Sequence, residues 1–207
     1  MVDIGDLTKT AATIAGVGGS ALPLRVDVRD RTGLAAAFAE VARQWSGIDI
    51  LVTSAGIYGK KTRIEDLDDA EVDEVLAVNF KGTLWSVQAV LPHMPDAGRI
   101  VCIGSLAGKT GGVLSGPHYG ASKGAVHATV RWLAKSIASR GICVNGVAPG
   151  AIDTDMISGK GYSPDYCPLG RLGTPDDVAG MVMYLVSPVS AYVTGSVLDV
   201  NGGYFMG

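Results

Sequence analysis

Four short, mostly apolar runs constrain what this chain can fold into more than anything else in it. They span 48–52, 100–103, 142–148 and 197–200, and each stops at glycine, proline or small polar residues. Runs this short, with no regular polar face, read as strands buried on both sides, which belong to a parallel sheet covered by helices above and below. Segments of helical period separate them. Leu34, Phe38, Val41 and Trp45 space one apolar face over 30–45, and 69–91 and 119–139 read as two long helices. Thr174 with Pro175, Asp176 and Asp177 opens a further helix, with a capping hydroxyl, a proline in the first turn and acids at the positive end of the dipole. Ahead of these, 2–4 reads as the end of a strand, 6–15 as a helix closed by the Gly16 to Gly19 cluster, and 22–28 as a short strand. Alternation with short connections predicts βαβ units: an α/β, doubly wound parallel sheet in one domain over 1–207.

In such sheets ligands bind at the carboxyl ends of the strands. Asp3, Asp27, Ser54, Gly56, Ser105, Pro149 and Gly150 all fall at predicted strand ends. Tyr119 and Lys123 lie four apart in a helix, so they project from one face. A free phenol, with a pKa of about 10, is a poor base at neutral pH. An ammonium beside it favours the phenolate, so the pair predicts a lowered phenol pKa. With Ser105 near enough to hydrogen-bond a carbonyl or alcohol oxygen, the three describe a site that moves a proton on or off oxygen. No side chain carries hydride, so a cofactor is implied.

Composition removes other classes. The 207 residues are 47% hydrophobic with a net charge of -3, so there is no basic footprint for nucleic acid. No apolar run reaches the roughly 18 residues of a membrane span, and no secretory signal is visible. Cys102, Cys143 and Cys167 lack metal-ligand spacing, so no metal is expected, and a reduced, cytoplasmic protein is.

The chain resembles the short-chain dehydrogenase/reductase family over 3–203. The likeness rests on Asp27 and Val28, Ala55 and Gly56, Asn79, Ser105, Tyr119 with Lys123, the run from Asn145 to Gly150 with Thr154, and Gly195 to Gly203. It implies a Rossmann-like fold and an NAD(P)-dependent oxidoreductase interconverting a secondary alcohol and a ketone. On that resemblance Tyr119 is the general acid/base. Lys123 lowers its pKa and holds the nicotinamide ribose, Ser105 orients the substrate oxygen, and Asn79 holds a water in a proton relay. Ser54, Ala55 and Gly56 frame the adenosine pocket, Asp27 and Val28 meet the adenine, and Pro149, Gly150, Ile152 and Thr154 line the nicotinamide. Asp3, placed to accept from the ribose 2′-OH, favours NAD over NADP. Residues 152–168 become the substrate lid, with Met156, Tyr162 and Tyr166 arguing against a highly charged small substrate. The two long helices, with Trp85, Val130 and Trp132, imply a homodimer or homotetramer. Likeness is greatest to 3-oxoacyl-carrier-protein reductase-like and polyol dehydrogenase-like members.

The chain departs from this family in one large respect. The family's first strand, its Thr-Gly-x-x-x-Gly-x-Gly turn and its first helix have no counterpart here; the glycines at 16–19 follow a helix and precede a strand, the wrong context. The expectation is an N-terminally truncated sheet, short of a strand-turn-helix of roughly 30 residues. Two strand edges and a helix-sized apolar face would then stand open. The competing expectation is an inactive scaffold or oligomer partner. Thr53 and Ser54 replace the family's paired asparagines. His118 is expected to pack or face solvent rather than catalyse.

Overall fold

The computed structural model describes residues 1–112 and 114–207. Among the described residues six strands, each parallel to its partners, divide into two sheets. β1 (Val2–Asp3) pairs with β2 (Leu24–Arg25). β3 (Ile50–Thr53), β4 (Arg99–Ile103), β5 (Cys143–Pro149) and β6 (Val197–Val200) form a second sheet in that order. The helices are α1 (Thr8–Gly16), α2 (Arg31–Trp45), α3 (Asp69–Leu76), α4 (Gly82–Val90), α5 (Ala107–Thr110), α6 (Pro117–Ser136) and α7 (Pro175–Val186).

The larger sheet is covered on both faces, as its apolar strands require. Leu51, Ile100 and Val144 are register partners and point into one core with Phe38 of α2, Val87 and Val90 of α4, and Val126, Val130 and Leu133 of α6. On the other face Val101 and Val147 pack against Leu185, with Val178 and Val182 of α7 beside them. Each such side chain taken fully out of water stabilises the fold by about 1.5–3 kcal/mol. Helix starts follow local chemistry. Asp30 accepts from Gly33 N at 2.9 Å to cap α2, and Pro117 sits in the first turn of α6. Thr174 and Asp177 form a reciprocal capping box at α7.

The two sheets are separate. β1 and β3 are not paired, and a cavity of about 390 Å³ lies between them, lined by Met1 and Val2 on one side and by Ile48, Ile50 and Val52 on the other. Ile50 is 45% exposed and Val52 41%, although both belong to an apolar strand. α1 buries no residue at all.

Three expectations are corrected. The predicted helix over 69–91 is broken by a π turn, Ala77–Lys81, that carries the buried Asn79. The strand predicted over 22–28 shrinks to two residues, because its ladder partner β1 has only two. Val130 is fully buried in the core and Trp85 lies under Arg31, 4.8 Å from its guanidinium carbon, so of the three residues read as an intersubunit face only Trp132, 66% exposed, stands free. Between β4 and α6 the chain also forms the short helix α5. Among the described residues no helix is long and apolar enough to cross a membrane.

Candidate active site

β4 ends at Ile103, and the chain turns through Gly104 to Ser105, whose Oγ accepts from Ala107 N at 3.1 Å. α6 carries Tyr119 and Lys123 one turn apart, both buried. Lys123 Nζ donates to Ile103 O at 3.0 Å and stands 5.9 Å from the centre of the Tyr119 ring. These residues open on a cavity of about 570 Å³ at the carboxyl ends of β3, β4 and β5. Gly56, Pro149, Gly150, Ile152 and Thr154 line the same cavity, and Ser54 reaches both it and the slot between the sheets. Ala55 and Val28 line only the slot.

Asn79 supports the site from behind. Its Oδ1 accepts from Ile57 N at 2.8 Å, while its Nδ2 donates to Ile57 O and to Ser122 Oγ, both at 3.0 Å. Ser122 in turn donates to Tyr119 O at 2.7 Å. Both amide hydrogens are therefore committed, which leaves one lone pair on Oδ1 for a water. A π turn inserts one residue into the helical repeat, and here it swings a polar side chain into the core.

Two predicted residues are not brought to either cavity. Asp27 is held by Arg29, with Oδ2 2.6 Å from Nη2, and this hydrogen-bonded pair keeps its carboxyl below the ordinary range. Asp3 closes a local turn, accepting from Gly5 N at 2.8 Å. Neither carboxylate lines the Tyr119 cavity or the slot.

The electrostatics differ from the prediction at one point. Burial raises the Tyr119 phenol above 10, against a lowering by the Ser105 hydroxyl. Burial also pulls the Lys123 ammonium down to about 8, with the Cys102 sulfur opposing. The expected lowering of the phenol by the lysine is absent: Nζ donates to the Ile103 carbonyl and is not among the groups that shift the phenol. Desolvation, which disfavours phenolate and ammonium alike, then dominates.

The cavity fits the nicotinamide and ribose end of a dinucleotide. A Cβ on Gly150 would lie 2.8 Å from Asn201 Cβ and 2.9 Å from its Cα, so that position demands glycine, while one on Gly56 would crowd Asn79 Oδ1 at 3.2 Å and Lys123 Nζ at 3.4 Å. The Lys123 ammonium and the Thr154 hydroxyl suit a sugar diol and a carboxamide. The glycines at 16–19 line neither cavity; Gly18, with φ of +80°, follows the end of α1.

Three contributors escaped sequence reasoning. Tyr58 lays its ring 4.7 Å from that of Tyr119 and shares a 2.7 Å hydroxyl contact with Tyr162 of the 152–168 segment. His127 Nε2 accepts from Ser105 N at 3.4 Å, and burial with nearby cations holds the imidazole neutral, its pKa down to about 4. Ser122 ties Asn79 to α6. His127 could have been found, since it continues the spacing of Tyr119 and Lys123 by four; Tyr58 carries no pattern. His118 packs as expected, buried with its Nε2 3.6 Å from Glu71 Oε1.

A parallel sheet wound by helices, with tyrosine, lysine and serine converging at its carboxyl edge, defines an oxidoreductase that works with a nicotinamide cofactor. The chain belongs to the short-chain dehydrogenase/reductase family: the family model described as Enoyl-(Acyl carrier protein) reductase matches residues 1–205. Cyclohexanol dehydrogenase of Rhodococcus sp. is 38% identical over 205 residues, covering 92% of this chain and 75% of the relative. The 3-oxoacyl-acyl-carrier-protein reductase FabG of Aquifex aeolicus is 40% identical over 176 residues, covering 82% of this chain and 70% of its own. Among solved structures, a 3-oxoacyl-acyl-carrier-protein reductase with bound NAD from Brucella melitensis superposes with a TM-score of 0.91 at 33% identity, over all of this chain and 80% of that one. A short-chain dehydrogenase of Burkholderia cenocepacia in complex with NADP gives 0.90 at 31% identity, over 98% of this chain and 85% of that one.

Proposed function

We propose that this protein interconverts a secondary alcohol and its ketone, with Tyr119 as the general acid/base. The observation that carries this reading is the buried Tyr119 phenol beside the Ser105 hydroxyl, in a cavity whose floor is the Lys123 ammonium. A bound nicotinamide supplies or accepts hydride at the carbinol carbon. In the oxidation direction Tyr119, as tyrosinate, takes the hydroxyl proton; in reduction its phenol returns it. Ser105 donates to the substrate oxygen and stabilises the charge that develops there. Lys123 holds the ribose hydroxyls, and Asn79 fixes the loop at Ile57 and offers its remaining lone pair to a water. Because burial holds the phenol above its ordinary value, reduction, which needs the protonated form, is favoured at neutral pH and oxidation gains as pH rises.

NAD is the cofactor we assign over NADP on the place of Asp3 in the sequence, at the end of β1 where an acid repels a 2′-phosphate, and not on the two cavities, which its carboxylate does not line. Three free cysteines suit a cytoplasmic protein. The exposed Trp132 of α6 suits assembly into a homodimer or homotetramer.

A second reading, an inactive scaffold or oligomer partner of the same family, is favoured by the slot between the sheets. Cofactor binding separates the two. NADH should raise the melting temperature of the purified protein, and more than NADPH does. No shift with either would leave the scaffold.

A further inference from the structure

A second cavity, of about 260 Å³, adjoins the Tyr119 cavity and shares Ser105, Pro149, Gly150 and Tyr162 with it. Its far wall is built from Leu106, Leu114, Ala151 and the Tyr204 ring. None of the described residues lining it is charged. The closest cation in sequence, Lys109 of α5, is engaged elsewhere: its Nζ lies 2.8 Å from Asp199 Oδ2 and 5.9 Å from the centre of the Phe205 ring.

Of the four side-chain hydroxyls around this cavity, those of Thr110 and Tyr162 are already committed, while the Tyr204 hydroxyl has no hydrogen bond among the described residues. Thr110 Oγ1 donates to Leu106 O at 3.2 Å, and Tyr162 OH is paired with Tyr58 OH. Ser105 Oγ, which accepts from Ala107 N, keeps its own hydrogen free to donate to a substrate oxygen. The volume falls below the roughly 300 Å³ at which pockets for drug-sized ligands begin.

We propose that this cavity holds the carbon body of the substrate, and that the substrate is a small, uncharged cyclic or branched secondary alcohol or its ketone. This rests on the oxidoreductase reading and narrows it. The reacting oxygen sits at Ser105 and Tyr119, and the carbon skeleton extends away from Lys123 between Leu106, Leu114 and Tyr204. An anionic group finds no cation there. A polyol finds too few free partners, and each buried hydroxyl left unpaired weakens binding. Tyr162, tied to Tyr58, forms the partition between the two cavities, so the lid segment sets how large a ring enters.

The test is ligand-observed NMR titration of the intact protein, without and with saturating NADH. The probes are cyclohexanone, 4-oxocyclohexanecarboxylate and galactitol. Cyclohexanone should bind at least tenfold more tightly than either of the others. Leu114→Arg should reverse the preference between the two ketones. Thr110→Arg, at the exposed rim of the same cavity, serves if the first variant fails to fold by circular dichroism. Equal or tighter binding of the anion or the polyol to the wild type overturns the proposal. So does binding of no probe in either condition, or a preference that a folded arginine variant leaves unchanged. Cyclohexanone binding without any response to NADH would instead overturn the oxidoreductase reading and leave the cavity assignment standing.

Discussion

At the scale of single residues the site is governed by burial. Lys123 is surrounded by protein and holds one carbonyl, and its pKa falls from 10.5 to about 8. The folded state then releases this proton at lower pH than the unfolded chain does. Stability should therefore rise between about pH 8 and 10, and below 8 the cost of burying the ammonium is fully present. Above 10 the Tyr119 phenol, whose folded pKa is raised, works in the opposite sense. Lys123→Met should remove the rise and stabilise the protein at pH 7 by up to roughly 3 kcal/mol. Urea unfolding at several pH values measures both, and a wild-type curve that is flat or falls between pH 8 and 10 contradicts the assignment. The sequence disclosed the spacing of Tyr119 and Lys123 but not the direction of these shifts. Spacing places two groups on one helix face; it does not say that the ammonium turns to Ile103 O.

Secondary-structure elements were legible where one short signal dominated. β3 and β6 lie within a residue or two of their apolar runs. α7 begins at Pro175, as the Thr174 and Asp177 chemistry requires. In that cap Thr174 Oγ1 accepts from Asp177 N, while Asp177 Oδ2 accepts from Thr174 N at 2.7 Å and from Arg171 Nη1 at 2.7 Å. Thr174→Ala should cost about 1 kcal/mol, read from the shift in denaturation midpoint at constant slope. An unchanged midpoint would mean that the Arg171 and Asp177 pair holds the helix start alone. The π turn at Ala77–Lys81 was not legible. Its residues have the same apolar spacing as the helix around them, and only the inward demand of Asn79, bonded to Ile57 and Ser122, distinguishes it. The two-residue strands were overdrawn for a related reason. Apolar character at 22–28 registers burial, whereas a ladder needs a partner of equal length.

The whole molecule is unevenly supported. β4 and β5 lie inside a sheet packed on both faces, while β1, β2 and α1 form a unit with a two-residue ladder and no buried helix residue. Local stability follows buried contact, so amides in 1–25 should exchange with deuterium well before those of β4 and β5. Uniform protection across both sheets would show that the slot does not divide the fold. The parallel architecture was readable from the buried strands alone. The split was readable only as an expectation from the family likeness, because hydropathy records which strands are apolar and not whether their edges are met. The same division affects function. Tyr119 and Lys123 lie on a helix packed against the larger sheet, Ser105, Gly150 and Thr154 follow its strands, and Asp3 comes from the loosely held unit.

The central claim is that Tyr119 transfers the proton in a hydride exchange at a carbonyl carbon, and one comparison tests it most directly. NADH oxidation by the wild type and by Tyr119→Phe would be followed with a small ketone, alongside NADH binding by each. The account predicts a loss of roughly 10²- to 10⁴-fold in turnover with NADH affinity retained. Equal turnover by the two proteins would contradict it.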